Sequence, residues 1–149
     1  MRLEELSALC REAVRDLVGK EQRPLPAAVV LPRPEATRIV VLHDLPADET
    51  TRASALDRFV EAEMRPVNAP CYGFMGEAEL DSGDGTVEVA MVVFGARQQG
   101  AWVTAAPLGP AGLGDFLDDE PLDPHAMPWL VPLQRAVDQA GPPDVTAVR

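Results

Sequence analysis

Cys71-Tyr72-Gly73-Phe74-Met75-Gly76-Glu77-Ala78-Glu79-Leu80, Asp81 to Thr86, Val87-Glu88-Val89-Ala90-Met91-Val92-Val93-Phe94, Gly95 to Gly100, and Ala101 to Leu108 make up the stretch whose reading decides the fold. Segments rich in Val, Phe, Tyr, Trp and Thr alternate with the turn-forming Asp-Ser-Gly-Asp-Gly and Ala-Arg-Gln-Gln-Gly. That punctuation predicts a β-meander of three sequential antiparallel strands. The middle run is apolar on both faces past Glu88, as in a central strand covered on both sides.

Working outward, residues 3 to 18 place Leu3, Leu6, Cys10, Ala13, Val14 and Leu17 on one side of a helix ended by Gly19. The runs 26–31 and 37–43 predict a hairpin around the proline-stiffened loop Pro32-Arg33-Pro34. A second helix is expected from Asp48, its N-cap, to Met64, with Ala53, Leu56, Phe59, Val60 and Met64 inward and Pro66 as its stop. A last helix is expected over 129–140, with Leu130, Leu133, Val137 and Ala140 inward and Pro132 in its first turn. Between them, residues 107–128 read as a long Pro/Gly/Asp-rich connection with at most a turn of helix at Leu113 to Leu117.

The expectation is therefore one α+β domain over residues 1–140, a single mixed or antiparallel five-stranded sheet flanked by helices in the order α-β-β-α-β-β-β-α, with 141–149 as a flexible tail. This element order resembles that of small profilin-like and roadblock-type modules, which implies an adaptor or dimer. The resemblance is one of order, and no functional residue is carried over from it.

Composition narrows the partners. The 149 residues carry 24 acidic and 13 basic side chains, a net charge of -11, with no basic stripe. Repulsion from phosphates opposes nucleic acid or an anionic membrane as a partner. A single lysine beside twelve arginines, with abundant Ala, Gly, Pro and Val, suggests a bacterial, high-GC origin. No apolar run approaches the ~20 residues of a membrane span, and the first residues lack the layout of a secretory signal. Two cysteines, Cys10 and Cys71, fit buried thiols in a reducing compartment, so a cytoplasmic location is expected.

Catalytic motifs are lacking. His43-Asp44 with Glu77 and Glu79, the glutamates roughly 6.5 Å apart on one strand face, are a metal candidate without HxH, HExxH or CxxC support, and neither metal nor cofactor is expected. Cys71 is not at a strand-to-helix elbow, and no serine or histidine stands in a nucleophile pattern, so no catalytic residue is named. His125 reads as a loop or capping residue. Gly83-Asp84-Gly85 carries an acid where phosphate would approach. Under a reading as a small enzyme or ligand-binding domain, the polar groups of the pocket would be His43, Cys71, Tyr72 and Glu77. The leading expectation is a non-catalytic interaction or adaptor module that binds a protein partner or its own copy through a sheet edge or through Trp102, Met127, Trp129 and Leu130. A structural component of a larger assembly, such as a phage or secretion particle, is the third reading.

Overall fold

The computed structural model describes residues 2–20, 25–33, 35–43, 45–81, 83–123 and 125–141. The chain is α+β, built from three α-helices and an antiparallel sheet. Helix α1 spans Leu3–Gly19, strands β1 and β2 span Ala28–Leu31 and Arg38–Val41, and helix α2 spans Glu49–Phe59. The meander follows as β3 (Cys71–Asp81), β4 (Thr86–Ala96) and β5 (Gly100–Gly109). Two short strands, β6 (Gly112–Leu113) and β7 (Glu120–Pro121), precede helix α3 (Val131–Asp138). The sheet order is β2-β1-β3-β4-β5-β6, with β7 also paired to β5.

Local chemistry accounts for the boundaries. The Asp48 carboxylate accepts from Thr51 N at 2.9 Å and so caps α2. Past Phe59 the helix widens into a π turn over Val60–Met64 and closes in a 3-10 turn over Arg65–Val67, where Pro66 lacks the N–H needed to continue. Gly83 and Gly85 adopt φ of 87° and 133° and so allow the tight link between β3 and β4. At the next turn Gln98 N donates to Asp138 Oδ1 at 2.7 Å, and Arg97 Nε donates to Ala140 O at 2.7 Å, which ties the β4–β5 turn to the end of α3.

Side chains alternate across the strands, so both faces of the sheet are apolar and each has its own helical cover. On one face Leu6, Cys10 and Val14 of α1 pack against Val30, Cys71, Met75, Val92 and Phe94. On the other, Leu56 and Phe59 of α2 and Leu133 and Val137 of α3 pack against Val29, Leu31, Tyr72, Phe74 and Val93. Three layers result, and β4 occupies the centre between β3 and β5.

Several expectations need correction. The sheet has seven strands instead of five, because the connection 107–128 contributes β6 and β7. Its Pro and Gly content conceals this in the sequence, yet its backbone groups need partners and the outer edge of β5 supplies them. Gly114 N donates to Pro107 O, Leu117 N to Ala105 O and Leu122 N to Ala101 O. The helical turn at 113–117 does not form: Leu113 is in β6, and the irregular segment beyond it is tied to β5 by Thr104 Oγ1, which donates to Leu117 O at 2.6 Å. The element order becomes α-β-β-α-β-β-β-β-β-α. The last helix is shorter than 129–140, being α-helical over Val131–Asp138 after a 3-10 turn at Pro128–Leu130. The middle strand is covered on both sides only from Val89 onward, for Val87 is 38% exposed. Residues 142–149, most of the expected tail, lie outside the described residues, as does Asp44 of the His43-Asp44 pair.

Candidate functional site

The face that carries α2 and α3 holds two adjoining hollows. The larger, about 590 Å³, opens between α3 and the β5–β7 edge. Tyr72, Ala101, Leu122, Met127, Leu130 and Val131 give it an apolar body, and Gln134, Arg135 and Asp138 stand along its α3 side. It lies where β7 pairs with β5 at Trp102 and Val103 and the short 128–130 turn leads into α3.

One end of the cleft is polar and rigid. Tyr72 Oη donates to Gln134 Oε1 at 3.1 Å, and Gln134 Nε2 donates to Ala96 O at 3.2 Å and to Asp138 Oδ1 at 3.0 Å. Burial pushes the Tyr72 phenol well above its ordinary value, with the Asp138 carboxylate adding to the effect, so the hydroxyl stays protonated and acts as a donor. Gly95 beneath them leaves the room: a Cβ there would run into Gln134 Oε1 and approach Tyr72 Cε1 to 2.8 Å.

The second hollow, about 400 Å³, is lined by Leu45, Arg52, Phe74, Gly76, Ala78, Met91, Met127 and Trp129, among others. Trp129 stands edge-on to Phe74, ring centroids 5.2 Å apart, with the Arg52 guanidinium 4.5 Å from its own centroid. Arg52 is fixed by donation to Pro46 O and Ala47 O, which holds its guanidinium against the Trp129 ring. Met127 lines both hollows.

The interface candidates thus distribute unequally. Trp102, Met127 and Leu130 line the larger cleft, while Trp129 and Met127 line the smaller. Trp102, opposite Phe94 on β4, packs its ring with the α1-side cluster, and its buried Nε1 has no hydrogen-bond partner among the described residues. The pocket candidates are divided. Cys71 and Tyr72 are consecutive on β3 and face opposite sides of the sheet, Cys71 toward α1 and Tyr72 toward α3. Glu77 Oε1 accepts from Leu25 N at 2.8 Å near the smaller hollow, and His43 is exposed in the turn after β2. His125 N donates to Asp123 Oδ1 in an exposed turn. Among the described residues no three His, Cys, Asp or Glu side chains converge in a metal-binding group.

Compared with models of known protein families, with curated proteins and with solved structures, the chain matches none. Among its described residues, no helix is long and apolar enough to cross a membrane.

Sequence reasoning missed Gln134, which anchors the cleft, although its i+4 spacing from Leu130 and to Asp138 marks one face of α3. It also missed a polar cluster on the opposite side of the molecule. There Ser7 Oγ donates to Asp119 Oδ2 at 3.0 Å and Arg11 pairs with Asp119 Oδ1 at 2.6 Å, while the Arg11 and Arg15 guanidiniums lie 5.3 and 5.4 Å from the Phe116 ring centroid. These contacts strap residues 116–119 over α1. No local pattern reports a partnership between residues so far apart in the chain.

Proposed function

We propose that this domain is a non-catalytic protein-interaction module whose α3 cleft receives apolar side chains of a partner protein or of a second copy. The observation that carries the reading is the meeting of Tyr72, Leu122, Met127 and Leu130 in one open, predominantly apolar cleft. Aromatic and methionine side chains beside a polar rim are the usual composition of an interface centre. The division of Cys71 from Tyr72 across the sheet, with His43 exposed elsewhere, supports a non-catalytic role over the enzyme built from that set. Two free, buried thiols agree with a reducing compartment such as the cytoplasm.

The test is light scattering on the purified chain together with partner capture by wild type and Leu122→Glu side by side. Leu122 is half-buried at the cleft wall, so the charge alters the cleft more than the core. Loss of the partner or of the dimer in the variant is expected. A strictly monomeric protein that retains no partner, or one whose partner is kept equally by the variant, would overturn the proposal.

A second reading is favoured by the cleft's size. A volume near 590 Å³ lies within the span of roughly 300–1,000 Å³ typical of small-molecule sites, with Tyr72 and Gln134 as the orienting polar pair. Native mass spectrometry of the purified protein would reveal such a ligand as a discrete added mass that Leu122→Glu removes.

A further inference from the structure

The polar end of the larger cleft has spent all its protons. Tyr72 Oη gives its one hydrogen to Gln134 Oε1, and the two hydrogens of Gln134 Nε2 go to Ala96 O and Asp138 Oδ1. A carbonyl and a carboxylate oxygen can only accept, so the amide cannot be turned the other way round. Asp138 Oδ1 takes a further hydrogen from Gln98 N, whereas Asp138 Oδ2 accepts none among the described residues. Tyr72, Gln134 and Asp138 all line the cleft. What this end still offers an occupant is therefore acceptor capacity alone, at Asp138 Oδ2 and the lone pairs of Tyr72 Oη.

The requirement this places on an occupant is specific: its buried polar atom must donate. A carboxylate, phosphate or carbonyl set there would meet only lone pairs. Donors stand at the mouth instead, where Gln99, Arg135 and Gln139 are exposed, the Gln139 Oε1 being taken by Arg65. The Arg135 guanidinium offsets the pull of the Asp138 carboxylate on a cationic head, and it suits the face of an aromatic ring. Among side chains, the indole of tryptophan is a neutral donor with no acceptor to leave unpaired. Its apolar body matches Ala101, Leu122, Met127 and Leu130, the Met127 thioether adding a ring contact.

We infer that the cleft takes the indole of a tryptophan carried by a partner protein, its N–H donating to Asp138 Oδ2 beside Tyr72 and its ring lying on the apolar wall. A second copy has no such group to give. The chain has two tryptophans. Trp129 is engaged by Phe74 and Arg52, and Trp102 packs with the α1-side cluster, its Nε1 sealed from solvent. Tryptophans that bury their ring and bring the N–H to an acceptor are among the strongest anchors of protein interfaces. The inference rests on the interaction reading above and names the group that the partner inserts.

The probe is N-acetyltryptophanamide, titrated into the purified chain beside its 1-methylindole analogue, which lacks the donor, and beside N-acetylphenylalaninamide and N-acetyllysinamide. Amide NMR shifts should map the tryptophan compound to residues 99–101, 122 and 130–138, and the other three should bind at least tenfold more weakly, the worth of one hydrogen bond to a charged acceptor. Asp138→Asn keeps an acceptor for Gln98 and Gln134 and puts an NH2 group where Oδ2 stood, at an exposed position. It should leave the native spectrum intact and remove the preference for the unmethylated indole. Equal binding of the methylated analogue, tighter binding of the phenylalanine or lysine compound, or a preference that survives Asp138→Asn would overturn the inference. A copurifying small molecule that is absent from Leu122→Glu would also overturn it. Partner capture that depends on Leu122 but not on Asp138 would do the same while leaving the cleft proposal standing, and capture indifferent to both would sink the cleft proposal itself.

Discussion

The Cys10 sulfur occupies the space a Cβ on Gly73 would need. Helix α1 approaches β3 so closely at this point that an added methyl would meet the Cys10 sulfur well inside van der Waals contact and Val30 Cβ at 3.3 Å. Gly73 is thus the seat on which α1 rests, and both of its neighbours there are fully buried.

Replacing Gly73 by Ala should therefore destabilise the fold by about 1–3 kcal/mol, the usual cost of overpacking. Combining it with Cys10→Ala should cost less than the sum of the two single changes, because removing the sulfur relieves the clash. Denaturant unfolding of the four proteins measures the coupling. Additive losses would mean that α1 does not seat on Gly73.

Burial pushes the Cys10 thiol up to about 12, with Cys71 nearby adding to the effect, and burial raises Cys71 as well. Both folded values exceed the unfolded value of 9.0, so their contribution is fully present below pH 9 and declines as the pH rises toward 12. The thiolate is the reacting species. In the native protein at pH 8, iodoacetamide should leave both thiols unmodified over hours, whereas in denaturant both should alkylate within minutes. Rapid native labelling of either would contradict the packing of α1 on β3.

Asp48 gives the opposite sign. Its hydrogen bonds from Thr51, first the backbone N–H and then the hydroxyl, hold its carboxyl below the ordinary 3.8. The stabilisation is complete above that value and fades as the pH falls through the lower folded one. Asp48→Asn keeps a capping oxygen without the titration. The gap in melting temperature between wild type and variant should accordingly shrink between pH 5 and pH 2, and a constant gap would deny the carboxylate its capping role.

The strands of the meander were legible in sequence because each is a long run with β-rich residues and a turn signal at either end. The inward positions of α1 and α2 were legible from their spacing, and Asp48 from its place three residues before Thr51. What was not legible has a common physical origin. Strands β6 and β7 have two residues each, too short for any period, and exist only because β5 offers an edge for Gly114, Leu117 and Leu122 to pair with. The cleft likewise arises from where α3 starts relative to β5, a tertiary relation, though Met127, Leu130 and Trp102 on its walls were recognisable as residue types. Composition pointed to the Trp residues together, but strand alternation sends Trp102 toward α1 while Trp129 meets Phe74 edge to face.

The strap over α1 offers a further test. Asp119→Ala removes the Arg11 ion pair and the Ser7 hydrogen bond together, and should cost about 1–2 kcal/mol, which is roughly 2–8 °C in melting temperature at this chain length. The amides of Leu117 and Leu122, now bonded to β5, should exchange hydrogen faster in the variant. Unchanged exchange there would show that β5 alone holds the segment.

The Ser7–Asp119 bond joins residues 112 positions apart. At synthesis rates of roughly 5–20 residues per second, Ser7 waits about 6 to 22 seconds for its acceptor to be made. Throughout that interval the nascent chain holds an amphipathic first helix whose last fastening has not yet been translated. The α1 side of the molecule consequently stays unfastened until residue 119 is made, and the face covered by α3, at residues 131–138, closes later still.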